Sequence, residues 1–115
     1  MGDLTKNFSR AEFSCKCGCG FDTIDFQILE ELQQIRDRYG SPITINSACR
    51  CKEHNESIGG SERSQHLKGR AVDFTIKGVN PEKVYNSIDY YWKGGLGRYS
   101  TFTHIDSRSV KARWG

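Results

Sequence analysis

The chain has 115 residues, a net charge of +3, 27% charged residues and thirteen aromatics. Its mean hydropathy of −0.66 and lack of any long apolar run exclude a transmembrane helix. Leu, Ile, Val and Phe supply only 24 residues, which describes one small-cored domain over residues 1–115 with no room for a second core. The basic residues are scattered, so the charge does not imply a nucleic-acid partner. Met1-Gly2-Asp3-Leu4-Thr5-Lys6 lacks the apolar segment of a secretory signal.

Along the chain, Ser9-Arg10-Ala11-Glu12 fits a capping box and predicts a short helical turn. The next helix is expected from about Thr23 to Tyr39. Ile28, Leu32, Ile35 and Tyr39 form one apolar stripe, and Gly40 ends it. Residues 42–46 alternate as a strand. Residues 52–63 are polar and predict a loop with a short helix. Arg70 to Ile76 alternates cleanly, with Val72, Phe74 and Ile76 on one face and Ala71, Asp73 and Thr75 on the other. Asn80-Pro81 opens another helix, ended by Gly94-Gly95, and 102–106 is a third strand. This order predicts an α+β domain with a small, mainly antiparallel sheet packed with helices.

Five cysteines stand out, as Cys15-Lys16-Cys17-Gly18-Cys19 and Cys49-Arg50-Cys51. An odd number cannot all pair within the chain. Such a cluster suggests a staple, as disulfides or a bound zinc, or else free thiols. C-x-C is not the C-x2-C spacing of common structural zinc sites, which weakens the metal reading. Cys49 and Cys51 flank Arg50, so whatever holds them also aims that arginine.

A catalytic metal is better placed elsewhere. Gly69 lets the chain turn between a loop bearing His66 and a strand bearing Asp73, so their side chains can converge. His104, on the next strand, is the natural third ligand. Two imidazoles and a carboxylate, with a position left for water, make a catalytic type of zinc site. Zinc would lower the pKa of that water to about 7 and polarise a substrate carbonyl.

Ser64-Gln65-His66-Leu67-Lys68-Gly69-Arg70-Ala71-Val72-Asp73 matches the S-x-H-x-x-G-x-A-x-D motif of peptidase family M15. That family includes zinc D-Ala-D-Ala carboxypeptidases, dipeptidases and several phage endolysins. Asn46-Ser47-Ala48-Cys49-Arg50, Phe102-Thr103-His104-Ile105-Asp106-Ser107-Arg108 and Arg113-Trp114 also resemble its carboxypeptidase branch, so the likeness runs from about residue 8 to 115. The resemblance implies a hedgehog/DD-peptidase-like fold and Zn2+ held by His66, Asp73 and His104. It also implies that Arg50 and Ser64 bind substrate. A guanidinium can grip a carboxylate or polarise a carbonyl. Alternatively, Arg50 forms an ion pair and Ser64 caps a turn.

One departure bears on catalysis. Many family members carry an Asp or Glu base three residues before the last zinc-binding His, where this chain has Thr101, and Phe102 replaces the first His of an H-x-H pair. Asp106 is then the local candidate for a base. Its alternative is to support His104 or pair with Arg50 or Arg108. His54 and Asn55 read as loop anchors, Trp92 and Trp114 as packing lids, and Tyr99 as a candidate donor to substrate.

The expected function is zinc-dependent hydrolysis of an amide bond in a peptidoglycan stem peptide or cross-link, of D,D- or L,D-type. The expected partner is that peptide alone: no nucleic acid, no membrane span, the chain a monomer. A wall substrate without an export signal suggests a phage or prophage protein released by lysis or carried on a tail, or a domain of a longer exported protein. One alternative is a non-catalytic zinc-containing wall-binding module of a phage particle. Another is a small nucleic-acid binder using the cysteine cluster.

Overall fold

The computed structural model describes residues 4–20, 22–60 and 64–115. A 3-10 turn at Arg10–Phe13 comes first, and the Ser9 backbone N–H donates to the Glu12 carboxylate at 2.7 Å, the reach-back of a capping box. Helix α1 covers Phe26–Tyr39. It begins later than the pattern suggested because Asp25 is its cap, accepting from the Gln27 N–H at 2.9 Å. Gly40 ends it in the left-handed region at φ 64°.

Strand β1 (Ile43–Ser47) leads to α2 (Lys52–Ser57), a 3-10 turn at Gln65–Lys68, and β2 (Ala71–Ile76). Helix α3 (Pro81–Asp89) follows, with Asn80 accepting from the Glu82 N–H. Then come β3 (Gly95–Arg98), β4 (Thr103–Asp106) and β5 (Ala112–Trp114). The five strands form one sheet in the order β1-β2-β4-β3-β5, antiparallel except for β3–β5. The architecture is the expected small α+β fold. No helix among the described residues is long and apolar enough to cross a membrane.

The alternating pattern of β2 builds the core. Val72, Phe74 and Ile76 join Leu96 and Ile105 of neighbouring strands, and this face packs in one cluster with Ile28, Leu32 and Ile35 of α1 and Val84 and Ile88 of α3. Burying such side chains contributes about 1.5–3 kcal/mol each. The opposite face is left for polar work.

β3 and β5 escaped the sequence reading, and α3 ends at Asp89, well before Gly94-Gly95. The reason for β3 is tertiary. A Cβ on Gly95 would stand 2.3 Å from an Asp106 carboxylate oxygen, and one on Gly97 2.4 Å from Trp114 Nε1. These glycines make room for neighbours across the sheet, at the expense of strand propensity.

Glu31 of α1 is buried and accepts a short hydrogen bond from the Tyr91 hydroxyl, which itself accepts from Arg38 at 2.9 Å. Burial pushes the Glu31 carboxyl above its ordinary range, more than the Tyr91 bond and the Arg38 charge draw it down. As pH rises through the ordinary glutamate value of about 4.3, the unfolded chain releases its proton before the native one, so stability falls until the native carboxyl also ionises. Glu31→Gln should therefore be near neutral at pH 4 and stabilising at pH 7, read as a higher Tm. Thermal melts at both pH values check this; an equal effect at both would contradict the burial origin.

Candidate metal centre and cleft

The sheet register assembles the site. Ser47 of β1 lies opposite Asp73 of β2, Asp73 opposite His104 of β4, His104 opposite Gly97 of β3, and Gly97 beside Trp114 of β5. This row crosses all five strands on the face away from the core. His66 reaches it from the 3-10 turn. Ser64 caps that turn, its hydroxyl accepting from the His66 N–H at 3.2 Å. Gly69 turns the chain into β2 at φ 66°, and a Cβ there would stand 2.4 Å from the Thr23 carbonyl oxygen.

His66, Asp73 and His104 each offer one ligand atom, all within 4.8 Å of one another. Asp73 Oδ1 lies 2.8 Å from His104 Nδ1 and 3.4 Å from His66 Nε2. The other nitrogen of each ring is occupied. His66 Nδ1 bonds the Ala48 carbonyl, and His104 Nε2 bonds Asp106 Oδ2 at 2.8 Å. Backing of this kind selects the tautomer that turns the remaining lone pair toward a metal. Two imidazoles and a carboxylate so arranged fit a zinc-type divalent ion.

The electrostatics follow from the same contacts. Burial alone would raise the Asp73 pKa, but hydrogen bonds and charge from His104 and His66 outweigh it and hold it at about 2. Burial would lower His104, yet its bonds to Asp106 and Asp73 raise it. Asp106 sits below the ordinary carboxylate range. Burial opposes this, and hydrogen bonds from His104 and Arg108 overcome it.

Asp106 lies behind His104 and is not among the described residues lining the cleft over this site. Its carboxylate is fully buried on the far nitrogen of His104. It also accepts from the Gly95 N–H at 2.9 Å, from Arg108 Nε at 2.9 Å and from Arg108 Nη2 at 2.8 Å. A carboxylate so engaged and so acidic is poorly suited to take a proton near neutral pH. Its geometry is that of a support for His104, the alternative raised by its position in sequence.

Arg50 is brought beside the three ligands. Its Nε donates to Ser47 Oγ at 3.2 Å and its Nη1 to Asn55 Oδ1 at 3.0 Å, while Nη2 lies 3.7 Å from Asp73 Oδ2. Asn55 is buried on α2 and so fixes the guanidinium. A cleft of about 710 Å³ opens over the row, walled in part by Arg50, Ser64, Tyr99, Phe102 and Trp114. The Trp114 ring lies 5.1 Å from that of His104, with the Arg108 guanidinium 5.1 Å from the indole. Tyr99 stacks on Phe102 at 4.3 Å, and its hydroxyl accepts from Trp114 Nε1 at 2.9 Å. Trp92 instead packs inward, donating to the Asp106 carbonyl. The clamp of Asn55 on Arg50 was not legible in sequence, where Asn55 reads as a loop anchor, whereas Trp114, expected as a packing lid, walls the cleft. Among the described residues, Asp73 is the one carboxylate lining this cleft.

The family model of peptidase M15 matches residues 6–106. The chain is 41% identical over 58 residues to the probable peptidoglycan L,D-endopeptidase MepK of Haemophilus influenzae, covering 49% of this chain and 31% of that protein. It is 29% identical over 94 residues to the peptidoglycan L,D-endopeptidase MepK of Escherichia coli K12, covering 74% of this chain and 52% of that protein. The chain thus spans about half, or less, of the length of the curated relatives it matches.

Proposed function

The chain belongs to the peptidase M15 family, and from that membership we propose that it is a zinc-dependent hydrolase of an amide bond in peptidoglycan stem peptides or cross-links. The observation that carries this reading is the convergence of His66, Asp73 and His104, each imidazole backed on its other nitrogen, beside a clamped guanidinium in an open cleft. The names of the relatives support peptidoglycan as the substrate class and favour an L,D-bond.

His66 Nε2, Asp73 Oδ1 and His104 Nδ1 would hold the ion. When bound, zinc supplies an activated water and polarises the scissile carbonyl. Arg50 orients substrate by gripping a peptide carboxylate or carbonyl with the fork that Ser47 and Asn55 keep in place. Tyr99, whose oxygen accepts from Trp114, keeps its own proton to donate into the cleft. Ser64 presents His66 and lines the substrate channel.

Mass spectrometry of purified muropeptides after incubation with zinc-loaded and with chelated protein tests this function. Loss of a defined peptide bond with the zinc-loaded protein alone is expected. Cleavage that survives chelation would overturn the metal mechanism. Arg50→Lys keeps the charge and loses the fork, so kcat/KM should fall about tenfold to hundredfold while metal content stays unchanged. Steady-state kinetics with metal analysis read both; an unchanged kcat/KM removes Arg50 from the substrate site.

A second reading is favoured by one observation: no second carboxylate among the described cleft residues stands ready as a base. It makes the domain a zinc-containing wall-binding module of a phage particle. Zinc retained and muropeptides bound but uncut would select it.

A further inference from the structure

The cysteines left unexplained by the cleft converge on a second point. The sulfurs of Cys15, Cys17, Cys19 and Cys51 all lie within 4.8 Å of one another. Cys15 Sγ is 3.4 Å from Cys17 Sγ and 3.8 Å from Cys51 Sγ, and Cys17 Sγ is 3.5 Å from Cys51 Sγ. Four Zn–S bonds of about 2.3 Å in a tetrahedron set sulfurs roughly 3.8 Å apart. A disulfide draws two sulfurs together and gives no reason for four to meet.

We propose that Cys15, Cys17, Cys19 and Cys51 hold a structural zinc ion as four thiolates, separate from the His66–Asp73–His104 centre. The surrounding backbone is built for thiolates. The Cys51 N–H donates to Cys15 Sγ and the His54 N–H to Cys51 Sγ, each at 3.4 Å. Such bonds to a charged acceptor are stronger than those to a neutral thiol. Gly18 and Gly20, at φ 82° and 92°, wind the chain tightly around Cys19, which lets C-x-C-x-C spacing present three sulfurs to one point. Cys49 is excluded, because its buried thiol donates to the Phe13 carbonyl at 3.0 Å. Soft thiolates select zinc over magnesium or calcium, and the four thiol protons leave to solvent as the ion binds. Lys16 and Lys52, beside three of the ligands in sequence, offset the net negative charge of the complex.

The ion would bind the segment before α1 to the start of α2. Cys51 caps α2, and α2 carries Asn55, which holds the Arg50 guanidinium. The structural metal thus positions the substrate-binding arginine without touching substrate.

Metal analysis of the purified, zinc-loaded full chain tests this. Two zinc ions per chain are expected for the wild type and one for His66→Ala. Cys19→Ser, at an exposed position, should also retain one, and Cys17→His should keep two because imidazole replaces a thiolate. With cobalt(II) in place of zinc, His66→Ala should show the intense thiolate-to-cobalt charge-transfer band and Cys19→Ser should lose most of it. This readout is independent of cleavage, so it stands or falls apart from the peptidase reading. A single metal per chain that Cys19→Ser retains in full, no thiolate band in His66→Ala, or an intact mass lighter by the hydrogens of a disulfide would overturn the proposal.

Discussion

His66→Ala is expected to abolish cleavage of wall peptides and to remove one metal ion while the fold survives. His66 Nε2 lies 3.4 Å from Asp73 Oδ1, and its Nδ1 is held by the Ala48 carbonyl. Alanine removes one of the three groups that converge there. Two ligands then hold a divalent ion far less well than three, and kcat/KM should fall by at least about 10³-fold, a loss of about 4 kcal/mol in transition-state stabilisation. The core cluster is on the other face of the sheet, so the circular dichroism spectrum should be unchanged. Muropeptide digestion, metal analysis and circular dichroism on one preparation provide the check. Cleavage by the variant at the wild-type rate would remove His66 from the mechanism.

Asp106→Asn should act through the metal rather than through proton transfer. The buried carboxylate accepts from His104, Gly95 and both donors of the Arg108 fork. An amide cannot accept at both ends. Turned one way, its NH2 faces Arg108 and sets donor against donor. Turned the other, it donates to His104 Nε2, moves the ring proton to Nδ1 and blocks the lone pair that faces Asp73. Either arrangement weakens the site, and loss of such a partner lowers metal affinity by about 10–100-fold. Activity should therefore fall at limiting zinc and recover at saturating zinc. Titration of activity against free zinc separates this from the base role raised by the sequence. A base variant would bind zinc normally and stay inactive at saturation.

Much of the fold is legible in local pattern. The stripe of Ile28, Leu32 and Ile35 and the alternation of Val72, Phe74 and Ile76 mark faces that do enter one core. The capping residues Ser9 and Asn80 act at the ends where they were expected. The spacing around Gly69 placed His66 and Asp73 within reach of each other, and strand parity put His104 on their side of the sheet. β3 was hidden because its glycines read as a break, whereas they answer to the bulk of Asp106 and Trp114 on neighbouring strands. The same blindness affected Asp106. Being two residues from His104 puts it on the right face, but nothing local says which ring nitrogen it meets.

The sequence by itself determined the helices and central strands, the core face and the three positions that meet at the candidate metal centre. These depend on periodic burial and on a short, motif-bearing turn, both encoded within a few neighbouring residues. Tertiary structure alone decided the row from Ser47 to Trp114, the clamp of Asn55 on Arg50, and the meeting of Cys51 with three cysteines more than thirty positions earlier. Cross-strand register and loop closure join residues far apart in the chain, and spacing along one segment carries no information about which distant segment it will face.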